Sequence, residues 1–145
     1  MRISILLLFA CLSCVSTPEP SKELIAALND DNLAIRGKII TIAPNDFRYD
    51  YYDIHEEDTH YDKLRSLGYQ GGGVTWAAII YGAIRLSDPK ISDNIRFDEE
   101  SDGVAIWCSD SITLTKVGRL VAFLKNNDEL LLRSLEAGKI GWLPQ

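Results

Sequence analysis

Three consecutive glycines, Gly71-Gly72-Gly73, stand directly in front of an apolar run that ends at Asp88-Pro89. Glycine tolerates positive φ and lets another backbone approach closely, but it weakens the interior of a helix or strand. The run is therefore a break, and the chain has to enter its next element from it. Val74 to Leu86 then places Trp76, Ile79, Ile80, Ala83 and Ile84 on one face at helical spacing. Pro89 stops that helix, because its ring restricts Asp88 and cannot continue the hydrogen-bond ladder.

On either side of this helix the patterns differ. Ser21 is a helix N-cap for a short element using Leu24, Ile25 and Leu28, which ends in Asn29-Asp30-Asp31-Asn32. Lys38 to Ile42 is rich in β-branched residues, Pro44-Asn45-Asp46 is a turn, and Phe47-Arg48-Tyr49-Asp50-Tyr51 alternates aromatic with charged side chains. Those two runs read as a strand pair with one aromatic face. From His55 to Leu67 only the later part is helix-compatible, through Tyr61, Leu64 and Leu67.

Beyond Pro89, Ile95 and Phe97 alternate with polar neighbours, and Val104, Ile106 and Cys108 alternate with Ala105 and Trp107. The acidic stretch Glu99 to Gly103 between them closes a β-hairpin. Asp110 or Ser111 then caps a helix with the stripe Leu114, Val117, Leu120, Val121 and Leu124. A last helix begins at Asp128, uses Leu131, Leu132 and Leu135, and ends at Gly138, with Trp142 in the tail. Two separated strand pairs and several helices predict an α+β fold: a single domain with an antiparallel sheet and helices packed on one face. Residues 21–145 are enough to bury roughly two-thirds of the unfolded surface, so a core needs no disulfide framework or structural metal.

The first residues have a different character. Met1-Arg2 precedes the apolar run Ile3 to Ala10, followed by Cys11, Leu12, Ser13 and Cys14. A charged end, a short apolar stretch and small residues at a processing point describe a signal peptide over residues 1–14, too short to span a bilayer. A cysteine after the apolar run points to the lipoprotein type of signal, with Cys14 as the lipidated residue and Cys11 as the alternative register. A simply cleaved signal with incidental cysteines is the plainer reading. Residues 15–20 carry two prolines and no periodicity and form a tether. The chain is thus expected to be exported and membrane-anchored through lipid, facing the periplasm.

Acidic residues number 21 against 15 basic ones, a net charge of −6, and every acid lies beyond the leader. Such a surface repels nucleic acid phosphates and favours basic partners. From Asp46 to Asp62 the acids interleave with tyrosines. Carboxylates steer and tyrosines supply contact area at low entropy cost, so Tyr49, Asp50, Tyr51, Tyr52, Asp53, Glu56, Glu57 and Asp58 are the candidate partner-binding residues. A solvated loop beside a half-buried strand is the competing account of the same residues. The Glu99 to Asp102 loop is the next candidate surface.

No residue pattern points to catalysis, a cofactor or a metal. The glycine run lacks the Gly-Lys-Ser/Thr ending and the dinucleotide spacing of phosphate-binding loops. His55 and His60 are five apart, which is not a helical ligand pair. Cys108 alternates into the core face, where a thiol is inert. Carboxylate pairs for glycoside chemistry can be drawn from any of many acids, which removes their meaning.

Gly68-Tyr69-Gln70-Gly71-Gly72-Gly73-Val74-Thr75-Trp76, followed by a helix and by the hairpin segment Ile95-Arg96-Phe97-Asp98-Glu99-Glu100, resembles the glycine-rich signature of the family 51 immunity proteins of bacterial toxin systems. The resemblance covers residues 60–137. It gives Gly68, Tyr69, Gly71, Gly73 and Trp76 the standing of family-motif residues with a structural role, Trp76 as the core anchor of the following helix. It implies an inhibitor that binds and neutralises a cognate protein toxin, with no catalytic residues. The leader and tether are not part of the family pattern, and they place the toxin's action outside the cytoplasm. A small envelope lipoprotein with a structural or housekeeping binding role is the alternative, and a hydrolase using the acidic stretch is a third.

Overall fold

The computed structural model describes residues 17–52, 54 and 60–139. The leader with Cys11 and Cys14, the segment containing Asp53, His55, Glu56, Glu57 and Asp58, and the tail with Trp142 lie outside the described residues. The elements are α1 (Lys22–Asn29), β1 (Lys38–Ala43), β2 (Asp46–Tyr51), α2 (His60–Ser66), α3 (Gly73–Ser87), a 3-10 turn (Pro89–Asn94), β3 (Ile95–Glu99), β4 (Val104–Cys108), α4 (Ser111–Leu124) and α5 (Asp128–Lys139).

The four strands form one antiparallel sheet in the order β1-β2-β4-β3. Each hairpin comes from neighbouring sequence, but the β2–β4 pairing that joins them brings together residues as distant as Phe47 and Cys108. Its register places Tyr49 opposite Ile106, which in turn faces Phe97, while Ile39 lies on the other side of Tyr49. Cross-strand partners share a face, so this row, with Phe47, Tyr51, Val104 and Cys108, lines the side covered by helices. Tyr49, Tyr51, Val104 and Ile106 are fully buried there, as is the whole α4 stripe of Leu114, Val117, Leu120, Val121 and Leu124.

Capping works as the sequence leads one to expect. Ser21 accepts from the amide of Leu24, and Asp110 accepts from those of Ile112 and Thr113. Each supplies an acceptor to amides that have no partner within the helix. Pro89–Asn94 forms a 3-10 turn, with Asp88 accepting from Lys90 at its start. One feature differs from the sequence reading. Helix α3, read as burying a single face, is buried almost all round, because the sheet lies on one side of it and α1 and α5 on others. Its alanines and Gly82 on the remaining faces suit that enclosure. No described helix is long and apolar enough to cross a membrane.

Candidate functional site

The tyrosine-acid region is split by the pleat of β2. Tyr49 and Tyr51 are 0% exposed. Tyr49 donates its hydroxyl to the carbonyl of Arg36, and Tyr51 meets Trp76 edge to face with ring centroids 4.9 Å apart. These two tyrosines are core residues and offer no contact area to a partner, which corrects their assignment as binding residues. The reason is the strand period: on β2 the odd-numbered aromatics face the helices together, so Arg48 and Asp50 must face away.

Asp50 receives two contacts from Arg48, at 2.8 and 2.9 Å, and its side chain is 13% exposed. Tyr52, just past the end of β2, is 44% exposed. Its ring lies across Gly103: a Cβ built there would sit 2.1 Å from Tyr52 Cδ1. Partial burial, then the nearby carboxylates of Glu100 and Asp50, hold the Tyr52 hydroxyl above its ordinary value of 10.0, with Asp102 adding to the same effect. Two acidic stretches that are far apart in sequence therefore converge on one tyrosine. Asp50, Tyr52, Glu100 and Asp102 form an acidic corner.

What sets the position of that corner is the glycine motif. The amide of Gly73 donates to the carbonyl of Ser101 at 3.3 Å. A Cβ at Gly73 would lie 2.0 Å from the carbonyl oxygens of both Glu100 and Gly103, and one at Gly72 would lie 2.1 Å from that of Ser101. The backbone of the acidic loop thus rests directly on the start of α3, a spacing that only glycine allows. The same contacts answer the anion-loop reading, since the Gly73 amide points at Ser101 and that of Gly71 at Thr75 Oγ1. Gly68 and Gly71 take positive φ on the way in. Tyr69 donates to Glu136 and accepts from Lys139, tying the motif to α5, and Trp76 is fully buried.

His60 is 5% exposed and its Nε2 lies 3.0 Å from Asp128 Oδ1, while Lys63 takes the other oxygen of that carboxylate. Its role among the described residues is to dock α2 on the first turn of α5. Cys108 faces the core at 5% exposure and accepts a contact from the amide of Asp110.

A further row was not singled out from sequence. On the side of the sheet away from the helices, Ile40, Arg48, Trp107 and Arg96 stand next to one another across β1, β2, β4 and β3. The guanidinium carbons of Arg48 and Arg96 lie 5.5 and 5.4 Å from the centroid of Trp107. The signal was present in the alternation of β4, where Trp107 is out of phase with Val104, Ile106 and Cys108. Only the pairing of β2 with β4 shows that two arginines flank it.

A family model described as Immunity protein 51 matches residues 45–140. The match runs from the β1–β2 turn through α5, so it takes in the glycine motif, the acidic corner and the Arg48-Trp107-Arg96 row. Helix α1 and strand β1 precede it. No curated protein and no solved structure matches the chain.

Proposed function

This chain belongs to the immunity protein 51 family, and on that premise we propose that it neutralises a bacterial toxin in the cell envelope by binding it and covering its working surface. The family match is the observation that carries this reading. The net charge of −6 supports a toxin with a basic contact surface, because opposite charge speeds encounter and selects partners. The acidic corner of Asp50, Tyr52, Glu100 and Asp102 is the part of the described surface that fits that role. Asp53, Glu56, Glu57 and Asp58 extend the same acidic sequence and belong to the proposal on sequence grounds alone. Neutralisation of this kind is stoichiometric and requires no catalytic step.

The leader supports an envelope location, with a lipid on Cys14, or on Cys11 in the alternative register, holding the domain on the periplasmic side. A toxin met there acts on wall or membrane. The leader would equally suit a housekeeping envelope lipoprotein, but the family match favours the toxin inhibitor.

The test is protection. Sensitive cells expressing the full chain are challenged with each secreted toxin domain of the producing strain. Survival against one toxin, lost when the leader is removed, is the expected result; survival against none would sink the proposal. Incorporation of labelled fatty acid, abolished by Cys14→Ser and kept by Cys11→Ser, would support the anchor, and no incorporation in the parent would remove it.

A further inference from the structure

The sheet has two faces, and the described helices cover one of them. On the other, the cross-strand register orders the side chains in rows. Ile40, Arg48, Trp107 and Arg96 make the first; Lys38, Asp50, Ala105 and Asp98 make the second. Beyond them lies the acidic corner with Tyr52 across Gly103. Arg96, Asp98 and Tyr52 are exposed, Trp107 is half-buried and Ala105 is buried.

The two arginines beside Trp107 are not equivalent. Arg48 is neutralised by Asp50. Arg96 has no carboxylate or carbonyl partner among the described residues, and its contact is the ring of Trp107 at 5.4 Å. Exposed arginines usually sample many rotamers, whereas a guanidinium laid against an indole is held in place and keeps its in-plane N–H groups available. That is the arrangement a carboxylate recognises through two parallel hydrogen bonds. Asp98, two residues along β3, with Glu100 and Asp102 beyond, puts acid that is unpaired among the described residues on one side of this cation, while Arg48 and Lys38 lie toward β1. Tryptophan, tyrosine and arginine are also the side chains that most often dominate binding energy at protein interfaces.

We propose that the sheet face away from the described helices is the toxin-binding face, and that the toxin seats an aspartate or glutamate side chain on Arg96 against Trp107, with its own lysines or arginines placed beside it to meet Asp98, Glu100 and Asp102. This rests on the toxin-neutralising reading above and names the surface and the partner's chemistry. A reciprocal pattern, a toxin acid on Arg96 beside toxin cations on Asp98, Glu100 and Asp102, fixes register and rejects toxins that are merely basic.

The experiment uses the full chain and the toxin identified by the protection assay. Arg96→Glu is expected to weaken binding by at least about 30-fold, mainly through faster dissociation, as removal of a desolvated charge partner does. It is also expected to abolish protection while leaving the melting temperature unchanged, because Arg96 is exposed. Should Arg96→Glu melt early, Arg96→Gln keeps the stem and removes the charge, with a loss of about 10-fold expected. Ile112→Glu, on the exposed side of α4, is the control that keeps full affinity. Reversal of one toxin carboxylate to arginine is expected to restore binding to Arg96→Glu and to no other variant. If the parent protects but both Arg96 variants bind within about threefold of it, the toxin docks elsewhere and this inference falls while the family reading stands. If the parent neutralises no toxin, the reading itself falls and takes the inference with it. Sedimentation of the parent alone as a dimer, converted to monomer by Arg96→Glu, would assign the face to a second copy and overturn the proposal.

Discussion

Gly73 donates its amide to the carbonyl of Ser101 across 3.3 Å, so the first turn of α3 carries the loop that holds Glu100 and Asp102. The family's glycine motif and the acidic corner are therefore one structural unit. Gly73→Ala places a methyl 2.0 Å from two carbonyl oxygens that belong to backbone. We expect a loss near the upper end of roughly 1–3 kcal/mol, the range for overpacking a site that cannot relax. Urea denaturation measures it, and unchanged or increased stability would show that the loop moves aside at little cost.

Trp76 is fully buried, with Tyr51 against its edge and the Lys125 ammonium 5.2 Å from its ring. Trp76→Ala leaves a large cavity at the junction of α3 with the sheet, and we expect a loss of about 3–5 kcal/mol. That is a large share of the total stability of a domain of this size. Comparison of urea midpoints for the parent, Trp76→Phe and Trp76→Ala should show a graded decrease; equal midpoints would contradict the role given to this ring.

Asp110 caps α4, accepting from the amides of Ile112 and Thr113 at 3.0 and 3.1 Å and from the Thr113 hydroxyl at 2.7 Å. The Thr113 hydroxyl first, then the Ile112 amide, hold its carboxyl below the ordinary 3.8. A group whose folded value is depressed contributes stability above its unfolded value and loses it as pH falls through the folded one. Asp110→Ala should thus cost about 1 kcal/mol at neutral pH, and the gap to the parent should narrow below about pH 4. Urea midpoints at both pH values decide this; a gap that widens in acid would reverse the sign.

The acidic corner lies at the rim of the proposed binding face, where charge governs encounter more than residence. Glu100→Lys combined with Asp102→Lys should slow toxin association several-fold at low salt and flatten its dependence on ionic strength, with dissociation little altered. Stopped-flow or surface-binding kinetics at two salt concentrations would read this out. An unchanged association rate would mean that the toxin is steered by another part of the surface.

Much of the local structure was legible in the residues. The Ser21 and Asp110 caps, both hairpins, the α4 stripe and the stop at Pro89 depend on contacts within a few positions, which composition and spacing report directly. The glycine motif was likewise readable as a break before a helix, together with the family it resembles. The alternation of β2 showed that Tyr49 and Tyr51 share one side and that Arg48 and Asp50 share the other.

What the alternation does not contain is which side the helices will cover. That depends on where α3 and α4 settle, and it moved Tyr49 and Tyr51 from candidate contact residues into the core while leaving Tyr52 outside. The β2–β4 pairing is similarly non-local: it places Arg48 beside Trp107, and with β3 it completes the row to Arg96. The meeting of Tyr52 with Glu100 and Asp102 has the same origin. Periodicity determined the faces of each element, because a side chain's direction follows from its own backbone. The composition of the surface was decided only by tertiary structure, because it requires strands distant in sequence to lie side by side.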